Sequence, residues 1–488
     1  MYFPEPIWST NWSAVPLTWW AHPPVPSKAT PTVKTPAVPA VFLALVASLL
    51  LPRAGTAQAP GEPRKPNILL IIVDDLGFAD LGCLGSQDMS TPHLDGLISN
   101  SLKLDRFYAN CPVCSPTRAS VITGCYPDRV GVPGVIRTNP ANSWGNFAPS
   151  AETLPQRLSR LGYRTAAIGK WHLGLEPQDH PMNHGFDAFH GFLGDMMDDY
   201  YNHRRHNINY MRNDRDEIDP DGHATDLFSQ WAVDFIKAQA DGGVGRQPWF
   251  LYLAYNAPHT PIQPPDAWVQ KVKARQQGIS DRRAKLVALI EHMDAGIGQV
   301  LESLRQSGAD DNTIVVFTSD NGGQVDVGAN NGPLRDGKQS MYEGGLRIPG
   351  SIRVPGRTRA GSSTEAVCTT ADFLPTLVEL AGGQVTDAID GVSLVPLLSD
   401  PDQTWPEREV YFVRREGGLR YAGLTIEAVL KGNWKLVHNL PTSKLELFDL
   451  SADPGETTDL SDRRPRELRE MVERLQVHLQ RGGAVPWQ

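Results

Sequence analysis

The chain has 488 residues, 40% of them hydrophobic and 21% charged, which is enough for one large core and a smaller second domain. Its formal net charge is −9 and its 46 Lys and Arg residues are scattered, so the sequence argues against a nucleic-acid-binding protein. The composition also excludes a collagen-like or largely disordered chain.

An apolar run near the N-terminus predicts export. Residues 41–51 read VFLALVASLLL, which is shorter than the about 20 residues that span a bilayer and fits the apolar region of a signal peptide. Lys28 and Lys34 precede the run, and small residues follow it. We predict a signal peptide at 39–59, after a disordered leader or mis-assigned start at 1–38. The protein is then secreted or periplasmic without stable membrane insertion, and an uncleaved N-terminal anchor is the alternative.

The number of cysteines is odd, so in an oxidising compartment at least one is unpaired or modified. Cys111 and Cys114 form a CPVC pair, but no second pair follows, which argues against a zinc site. Apart from Cys114, we interpret the cysteines as small core residues or chance pairs without a function, and they are Cys83, Cys111, Cys125 and Cys368.

Short apolar runs bounded by turn residues predict buried strands at 68–73, 163–168, 250–255 and 313–318. Helical patterns lie between them, the clearest at 280–304, where an apolar stripe repeats every three or four residues. Strands that alternate with helices predict an α/β fold with a mostly parallel sheet that is covered on both faces.

The sequence changes character after about residue 405. Short strand-like runs at 409–413, 434–438 and 445–448 follow closely on one another, and an amphipathic helix with Leu468, Met471 and Leu475 ends the pattern. We therefore predict two domains: residues 60–405 form the main α/β domain, and residues 406–488 form a small α+β domain with an antiparallel sheet and one helix.

Charged and ligating residues follow directly after the four predicted strands. In open α/β sheets the carboxyl ends of the strands form the ligand-binding edge, so we expect these residues to meet in one site. Taken singly, each is compatible with a helix cap or a structural histidine. In chain order they are Asp74 and Asp75, then Lys170 and His172, then His259, and finally Asp320 and Asn321.

Four of these residues are oxygen donors that suit a hard divalent cation. Two adjacent carboxylates in a buried cleft are costly without a counter-charge, and none of the four is a thiolate or an imidazole. We therefore predict one metal ion, calcium rather than magnesium, because calcium tolerates irregular cages of side chains. The predicted ligands are Asp74, Asp75, Asp320 and Asn321.

The segment from Cys114 to Gly124, CSPTRASVITG, is the most specific pattern in the chain. Taken alone it fits a helix start, with Ser115 as the cap, Pro116 in the first turn and a buried cysteine beside them. It also resembles the signature CxPxRxxxxTG of type I sulfatases. The similarity extends from Pro66 to about Leu460 through PNILLIIVDDLG, GYRTAAIGKWHLG, NAPHTPIQPP, SDNGG and FDLSADPGE, and through DGK at 336–338 followed by EGG at 343–345.

This resemblance implies an alkaline-phosphatase-like fold, a mixed sheet between layers of helices, and a sulfate-ester hydrolase. It implies that a maturation enzyme oxidises Cys114 to formylglycine, whose hydrated form binds the metal and attacks sulfur. Arg118 would hold this diol, and Lys170 and Lys338 would neutralise the sulfate oxygens. His172 would contact the diol and act as the base, and His259 would protonate the leaving oxygen.

The resemblance implies a sulfated carbohydrate or an aryl sulfate as the substrate, and it leaves the sugar open. Two other functions remain at this stage: a phosphonate or phosphate diester hydrolase of the same superfamily, and a glycan-binding relic without catalysis. The segment at 195–213 is rich in aromatic residues, His and Arg, so we interpret it either as a solvated loop or as a wall of the substrate site.

Overall fold

A computed structural model of the chain describes residues 64–240, 247–416, 421 and 423–482. The predicted leader at 1–38 and the predicted signal peptide at 39–59 lie outside these residues. Within them, no helix is both long enough and apolar enough to cross a bilayer.

The strands and helices have the following bounds. The strands are β1 Asn67–Val73, β2 Leu102–Tyr108, β3 Arg164–Lys170, β4 Ala188–Phe192, β5 Arg204–Arg205, β6 Ile208–Asn209, β7 Met211–Asn213, β8 Asp216–Glu217, β9 Trp249–Ala254, β10 Thr313–Ser319, β11 Gly350–Arg353, β12 Ser363–Thr369, β13 Glu409–Glu416, β14 Leu424–Lys431, β15 Trp434–Asn439 and β16 Lys444–Asp449. The α-helices are α1 Pro92–Ser99, α2 Cys114–Thr123, α3 Leu154–Arg160, α4 Ala224–Ala240, α5 Asp266–Arg275, α6 Asp281–Gln306, α7 Glu343–Leu346, α8 Phe373–Leu380, α9 Val395–Ser399 and α10 Pro465–Gly482.

A ten-stranded mixed sheet forms the centre of the described part, in the order β12-β2-β11-β10-β1-β9-β3-β4-β7-β8. The five strands from β10 to β4 run parallel, whereas β11 is antiparallel to both of its neighbours. The four strands predicted from the apolar runs are the four central strands β10, β1, β9 and β3. The predicted α/β architecture with a mixed sheet between helices is confirmed.

The alternation of side chains along β1 places one apolar set on each face of the sheet. Ile68, Leu70 and Ile72 pack in a core with α2, α3 and α8, and the intervening residues pack with α1, α4 and α6. Burial on both faces is why β1 is apolar throughout its length. Helix α6 begins after Ser280, whose hydroxyl accepts the N–H of Arg283, so the predicted helix at 280–304 is also confirmed.

Strands β13 to β16 form a separate four-stranded antiparallel sheet against which α10 packs. This small C-terminal α+β arrangement is the predicted one, but the sequence patterns did not predict β14. The sheet packs on the main body, because Tyr108 of β2 and Leu346 of α7 share its hydrophobic cluster. The domain bounds 60–405 and 406–488 stay predictions.

Candidate active site

The ends of β1 and β10 place the four predicted metal ligands side by side. The two strands pair in parallel with Val73 opposite Ser319, so Asp74 and Asp320 leave the sheet at the same level. The backbone N–H of Asp75 donates to Oδ1 of Asp320 at 3.2 Å. Nδ2 of Asn321 donates to Oδ1 of Asp75 at 2.8 Å. The structure thus brings Asp74, Asp75, Asp320 and Asn321 together.

Each of the three carboxylates has its own cation. Nζ of Lys170, at the end of β3, lies 2.5 Å from Oδ2 of Asp74. Nζ of Lys338 lies 2.7 Å from Oδ2 of Asp75. Arg118 donates to Oδ2 of Asp320 from Nε and Nη2. Burial alone would raise the pKa of Asp74, but these cations hold it well below its usual value. Burial alone would lower the pKa of Lys338, but the carboxylates, Asp75 first, raise it.

Helix α2 holds Cys114 at its first residue and Arg118 four residues later, so both side chains lie on the same face of the helix. Ser115 does not cap this helix as predicted. The N-cap is Val113, and the hydroxyl of Ser115 instead accepts the N–H of Ile136 at 3.1 Å. The cap prediction was wrong because a distant segment provides a donor that the local pattern does not show.

Cys114 lies against the carboxylates. Its Sγ is 3.4 Å from Oδ1 of Asp74, and the residue is 3% exposed. Burial and the charge of Asp74 raise the pKa of the Cys114 thiol well above its usual value. Cysteines that act as nucleophiles have a lowered pKa, because the thiolate is the reactive form. The site therefore disfavours an unmodified Cys114 as the nucleophile.

His172 is held in one tautomer. Its Nε2 lies 2.7 Å from the carbonyl oxygen of Ile136, and a carbonyl only accepts, so Nε2 carries the proton. Its Nδ1 is then an unprotonated acceptor, and it is buried without a hydrogen-bond partner among the described residues. Burial, together with Lys170 and Arg118, lowers the pKa of His172 well below its ordinary value. His172 is a neutral imidazole that can accept a proton at Nδ1.

His259 lies on the other side of the carboxylates. Its Nδ1 donates to the carbonyl oxygen of Thr260 at 2.7 Å, and its Nε2 lies 3.7 Å from Oδ2 of Asp75. Burial and Lys338 lower the pKa of His259, while Asp75 opposes this shift. Nε2 is therefore the nitrogen of His259 that can exchange a proton with a bound molecule.

Several residues of the site have left-handed backbone conformations, which are uncommon for residues with a side chain. The φ angles are 68° at Asp75, 60° at His172 and 77° at Gln339. Each such residue costs about 1–3 kcal/mol and persists where the surroundings determine it fully. At Gly169, which precedes Lys170, φ is 99° and a Cβ would lie 1.9 Å from the oxygen of Ala254, so only glycine fits.

The donor set fits a hard divalent cation. Asp74, Asp75 and Asp320 are all buried, and burial together with the charge of Asp74 raises the pKa of Asp320 to about 7. The three carboxylates and the amide oxygen of Asn321 thus offer a hard cation oxygen ligands in one buried place. Oδ1 of Asn321 is buried without a hydrogen-bond partner among the described residues, as expected for a free ligand atom. Ligand atoms of Asp74, Asp75, Cys114 and His259 lie within 4.8 Å of one another.

A cavity of about 240 Å³ opens above these residues. Cys114, His172, His259 and Lys338 line it, whereas the other predicted site residues lie beneath its floor. A larger cavity of about 500 Å³ lies elsewhere, beside α1, and none of the predicted site residues lines it.

The segment at 195–213 reaches the cavity through only three of its residues, Asp195, Met196 and Arg205. Its remainder forms the β5–β6 hairpin and strand β7, which joins the main sheet beside β4. The cavity wall also contains Arg137, Arg414 and Tyr421, none of which the sequence patterns predicted. No local pattern marks these three residues, since they come from separate parts of the chain.

Comparisons with known proteins agree with this geometry. A family profile described as Sulfatase matches residues 66–383, and one described as N-sulphoglucosamine sulphohydrolase, C-terminal, matches residues 336–482. The chain is 35% identical over 366 residues to N-acetylgalactosamine-6-sulfatase of Homo sapiens, covering 70% of this chain and 67% of that one. It is 32% identical to arylsulfatase J of Mus musculus, covering 87% of this chain and 77% of the other.

A solved structure has the same fold. The crystal structure of Ps i-CgsB in complex with k-i-k-neocarrahexaose is 30% identical in sequence and superposes with a TM-score of 0.78, covering 87% of this chain and 95% of that one. Because a sulfatase profile spans the main sheet and the residues at its carboxyl edge, the chain belongs to the sulfatase family, and its reaction is the hydrolysis of sulfate esters.

Proposed function

We propose that this protein removes a sulfate group from a sulfated carbohydrate, with formylglycine made from Cys114 as the nucleophile and one calcium ion in the site. The main observation behind this proposal is that Cys114 lies at the floor of the cavity, 3.4 Å from Asp74. Four buried oxygen-donor residues and two lysines that pair with them surround this position.

Two groups that the family implies would supply part of the chemistry. Formylglycine at position 114 would, when hydrated, supply the nucleophilic hydroxyl and a second hydroxyl for the release of sulfate. A divalent cation held by Asp74, Asp75, Asp320 and Asn321 supplies positive charge beside the reacting oxygens. Calcium fits this set because all four donors are oxygens in an irregular arrangement.

The buried cations position the reacting groups. Arg118 is fixed by two hydrogen bonds to Asp320 and lies one turn after Cys114, so it can hold the modified side chain. Lys338 reaches the cavity, and Lys170 lies beneath it beside Asp74. In the proposal Lys338 neutralises sulfate oxygens directly, and Lys170 adds positive charge to them from beneath the cavity.

The two histidines handle protons on different sides of the sulfate. His172 has a free acceptor at Nδ1, so it can take the proton of the attacking hydroxyl. His259 lines the cavity, and once its Nε2 has taken up a proton from solvent, the imidazolium can give that proton to the departing oxygen of the substrate. These are the roles that the family resemblance implies for His172 and His259, and they form part of the proposal.

A carbohydrate substrate is supported by the cavity wall and by two relatives. Aspartate, arginine and tyrosine side chains line the wall, and these groups hydrogen-bond and stack on sugars. One relative is an N-acetylgalactosamine-6-sulfatase, and one structural neighbour was solved with neocarrahexaose. We also propose export through the signal peptide at 39–59 and oxidation of Cys114 by a formylglycine-generating enzyme.

The proposal can be tested on enzyme produced in a host that makes formylglycine. Release of inorganic sulfate is measured from sulfated oligosaccharides and from 4-nitrophenyl sulfate. Release of nitrophenol from bis(4-nitrophenyl) phosphate is measured in parallel to test the alternative phosphodiesterase activity. We expect desulfation of a carbohydrate by the wild type and none by the Cys114→Ala variant. Faster hydrolysis of the phosphodiester than of every sulfate would contradict the proposal.

A further inference from the structure

Two arginines in the wall of the active-site cavity share one carboxylate. Nη1 of Arg137 donates to Oε2 of Glu416 at 2.7 Å, and Nε of Arg414 donates to Oε1 of the same residue at 3.2 Å. Arg137 and Arg414 both line the cavity, and Glu416 is 1% exposed. The side chain of Arg137 is 14% exposed and that of Arg414 is 3% exposed.

The other contacts of these two arginines are uncharged. Arg137 donates to the carbonyl oxygen of Asn142 at 2.7 Å and to the hydroxyl of Tyr421 at 3.0 Å. Arg414 donates to the carbonyl oxygen of Gln339 at 2.7 Å. Among the residues that the structure describes, Glu416 is the only carboxylate within ion-pair distance of either arginine. Within ion-pair distance, the two guanidinium groups therefore share a single carboxylate among the described residues, and Asp195 acts on Arg137 only from farther away.

A third arginine of the cavity differs in this respect. Nε of Arg205 lies 3.3 Å from Asp195, and its Nη1 lies 2.5 Å from Asp198, so Arg205 has two carboxylates for one charge. Among the described residues, the shortage of carboxylates within ion-pair distance is thus on the Arg137–Arg414 side of the cavity. A mostly buried cation without a counter-charge is costly, and an anion that enters the cavity on that side removes this cost.

Both arginines are fixed close to the reacting groups. Ile136, next to Arg137, accepts a hydrogen bond from His172 and donates one to Ser115, which follows Cys114. Gln339, which binds Arg414, directly follows Lys338. The two guanidinium groups therefore belong to the same small cavity of about 240 Å³ as the scissile sulfate, which is a size that suits one or two sugar units.

We propose that Arg137 and Arg414 bind a second anionic group of the substrate, a sulfate or a carboxylate separate from the sulfate that is removed. This inference rests on the proposed function and narrows its substrate class to carbohydrates with at least two negative groups near each other. Arginine suits this task because its planar donors match both anions.

The test compares pairs of sugars that differ by one anion. Suitable pairs are N-acetylgalactosamine 6-sulfate with its 4,6-disulfate, glucosamine 6-sulfate with its 2-N,6-O-disulfate, and sulfated disaccharides with and without a uronate carboxylate. kcat/KM for sulfate release is measured for the wild type and for Arg137→Gln. We expect the wild type to prefer the doubly charged member of its best pair, and this preference to fall about ten-fold in Arg137→Gln.

Arg415→Gln is the matched control. Arg415 lies on the same strand as Arg414, its side chain is 15% exposed, and it pairs with both Asp128 and Glu427 outside the cavity. It should keep the wild-type preference. Arg137→Lys, which keeps the charge, should retain more of the preference than Arg137→Gln, and thermal unfolding shows whether each variant is folded.

Two results would overturn the inference. One is a wild type that turns over both members of every pair equally well. The other is an Arg137→Gln variant that is slowed equally on both members, which would mean that Arg137 only supports the fold of the cavity. Absence of sulfate release from every compound, including 4-nitrophenyl sulfate, would instead overturn the proposed function, and this inference with it.

Discussion

Arg118 donates two hydrogen bonds to a single carboxylate oxygen of Asp320, from Nε at 3.0 Å and from Nη2 at 2.8 Å, and neither side chain is exposed to solvent. This pair links helix α2, which holds Cys114, to the end of strand β10, which holds two of the proposed metal ligands. This buried ion pair therefore helps to fix the proposed nucleophile relative to the proposed metal site, together with the contacts of Arg118 and Cys114 to Asp74.

Removing Arg118 should destabilise the protein as well as inactivate it. Arg118→Ala leaves Asp320 buried without its partner, and such a change typically costs about 3–5 kcal/mol. Arg305→Ala is the control, because it breaks an exposed pair with Glu302 that is worth about 1 kcal/mol or less. Denaturant unfolding of both variants in the presence of a chelator measures the difference. Equal free energies of unfolding would show that the pair does not link the two elements.

Cys114 should be found partly as an aldehyde in active enzyme. Mass spectrometry of the tryptic peptide that contains Cys114 should show loss of the sulfur, because the segment CSPTRASVITG resembles the signature at which sulfatases carry formylglycine. Cys114→Ala should lose all measurable activity but unfold within about 1–2 kcal/mol of the wild type, since it removes one small side chain. Full activity in a preparation whose Cys114 is entirely an unmodified thiol would exclude the formylglycine mechanism.

Metal removal should inactivate the enzyme reversibly. The three buried carboxylates and the partnerless Oδ1 of Asn321 offer oxygen ligands to a cation, so prolonged dialysis against a chelator should abolish sulfate release. Calcium should restore activity better than magnesium, and Asn321→Ala should raise the calcium concentration that is needed. Unchanged activity after dialysis, with no metal detected by elemental analysis, would contradict the metal site.

The sequence predicted the parts of the site that follow directly from strand ends. Asp74, Asp75, Lys170, Asp320 and Asn321 follow or end buried strands, and parallel pairing brings such positions to one edge. The order of the strands is not encoded in any local pattern, and neither is the contact between Ser115 and Ile136 that makes the cap prediction wrong.

Contacts between distant segments escaped prediction for the same reason. Arg137 and Glu416 are 279 residues apart in the chain and meet only because the C-terminal sheet packs beside the active site. Strand β14 was missed because its sequence, LTIEAVLK, lacks a clear alternation: Glu427 is buried, facing Arg415 of the neighbouring strand. An ion pair inside the small sheet thus hides the pattern that normally indicates a strand.

The stability of the fold should depend on pH through Asp294. Its buried carboxylate on α6 accepts the N–H groups of His93 and Leu94 at the start of α1. Burial raises the pKa of Asp294 from 3.8 to about 7, so between these values the folded state binds a proton that the unfolded state has lost. This group's contribution to the free energy of unfolding therefore falls as the pH rises through this range.

The variant Asp294→Asn isolates this effect. The amide stays neutral, so the melting temperature of the variant relative to the wild type should rise between pH 5 and pH 8. The amide accepts only one of the two N–H groups, which adds a constant loss at every pH. Thermal unfolding at several pH values measures the difference. A difference that does not change with pH would show that Asp294 has an ordinary pKa in the folded protein.

The loss of kcat/KM on removal of the His259 side chain should be larger for substrates whose leaving group needs a proton. General acids contribute about 10²–10⁴-fold, but only where the departing oxygen is a poor leaving group. A sugar alkoxide is such a group, whereas nitrophenolate is stable as an anion. His259→Ala should therefore lower kcat/KM for a sulfated sugar far more than for 4-nitrophenyl sulfate.

The comparison variants are His172→Ala and Lys338→Ala, because His172 and Lys338 line the same cavity as His259. In the proposed mechanism His172 takes the proton of the attacking hydroxyl and Lys338 neutralises the sulfate oxygens. Both features are common to the two substrates, so these variants should slow both to a similar degree. The ratios of kcat/KM, read as differences in barrier height, separate the roles. If His259→Ala slows both substrates equally, the general-acid role is wrong, and the Nε2 of His259, 3.7 Å from Asp75, would instead be assigned to binding the sulfate itself.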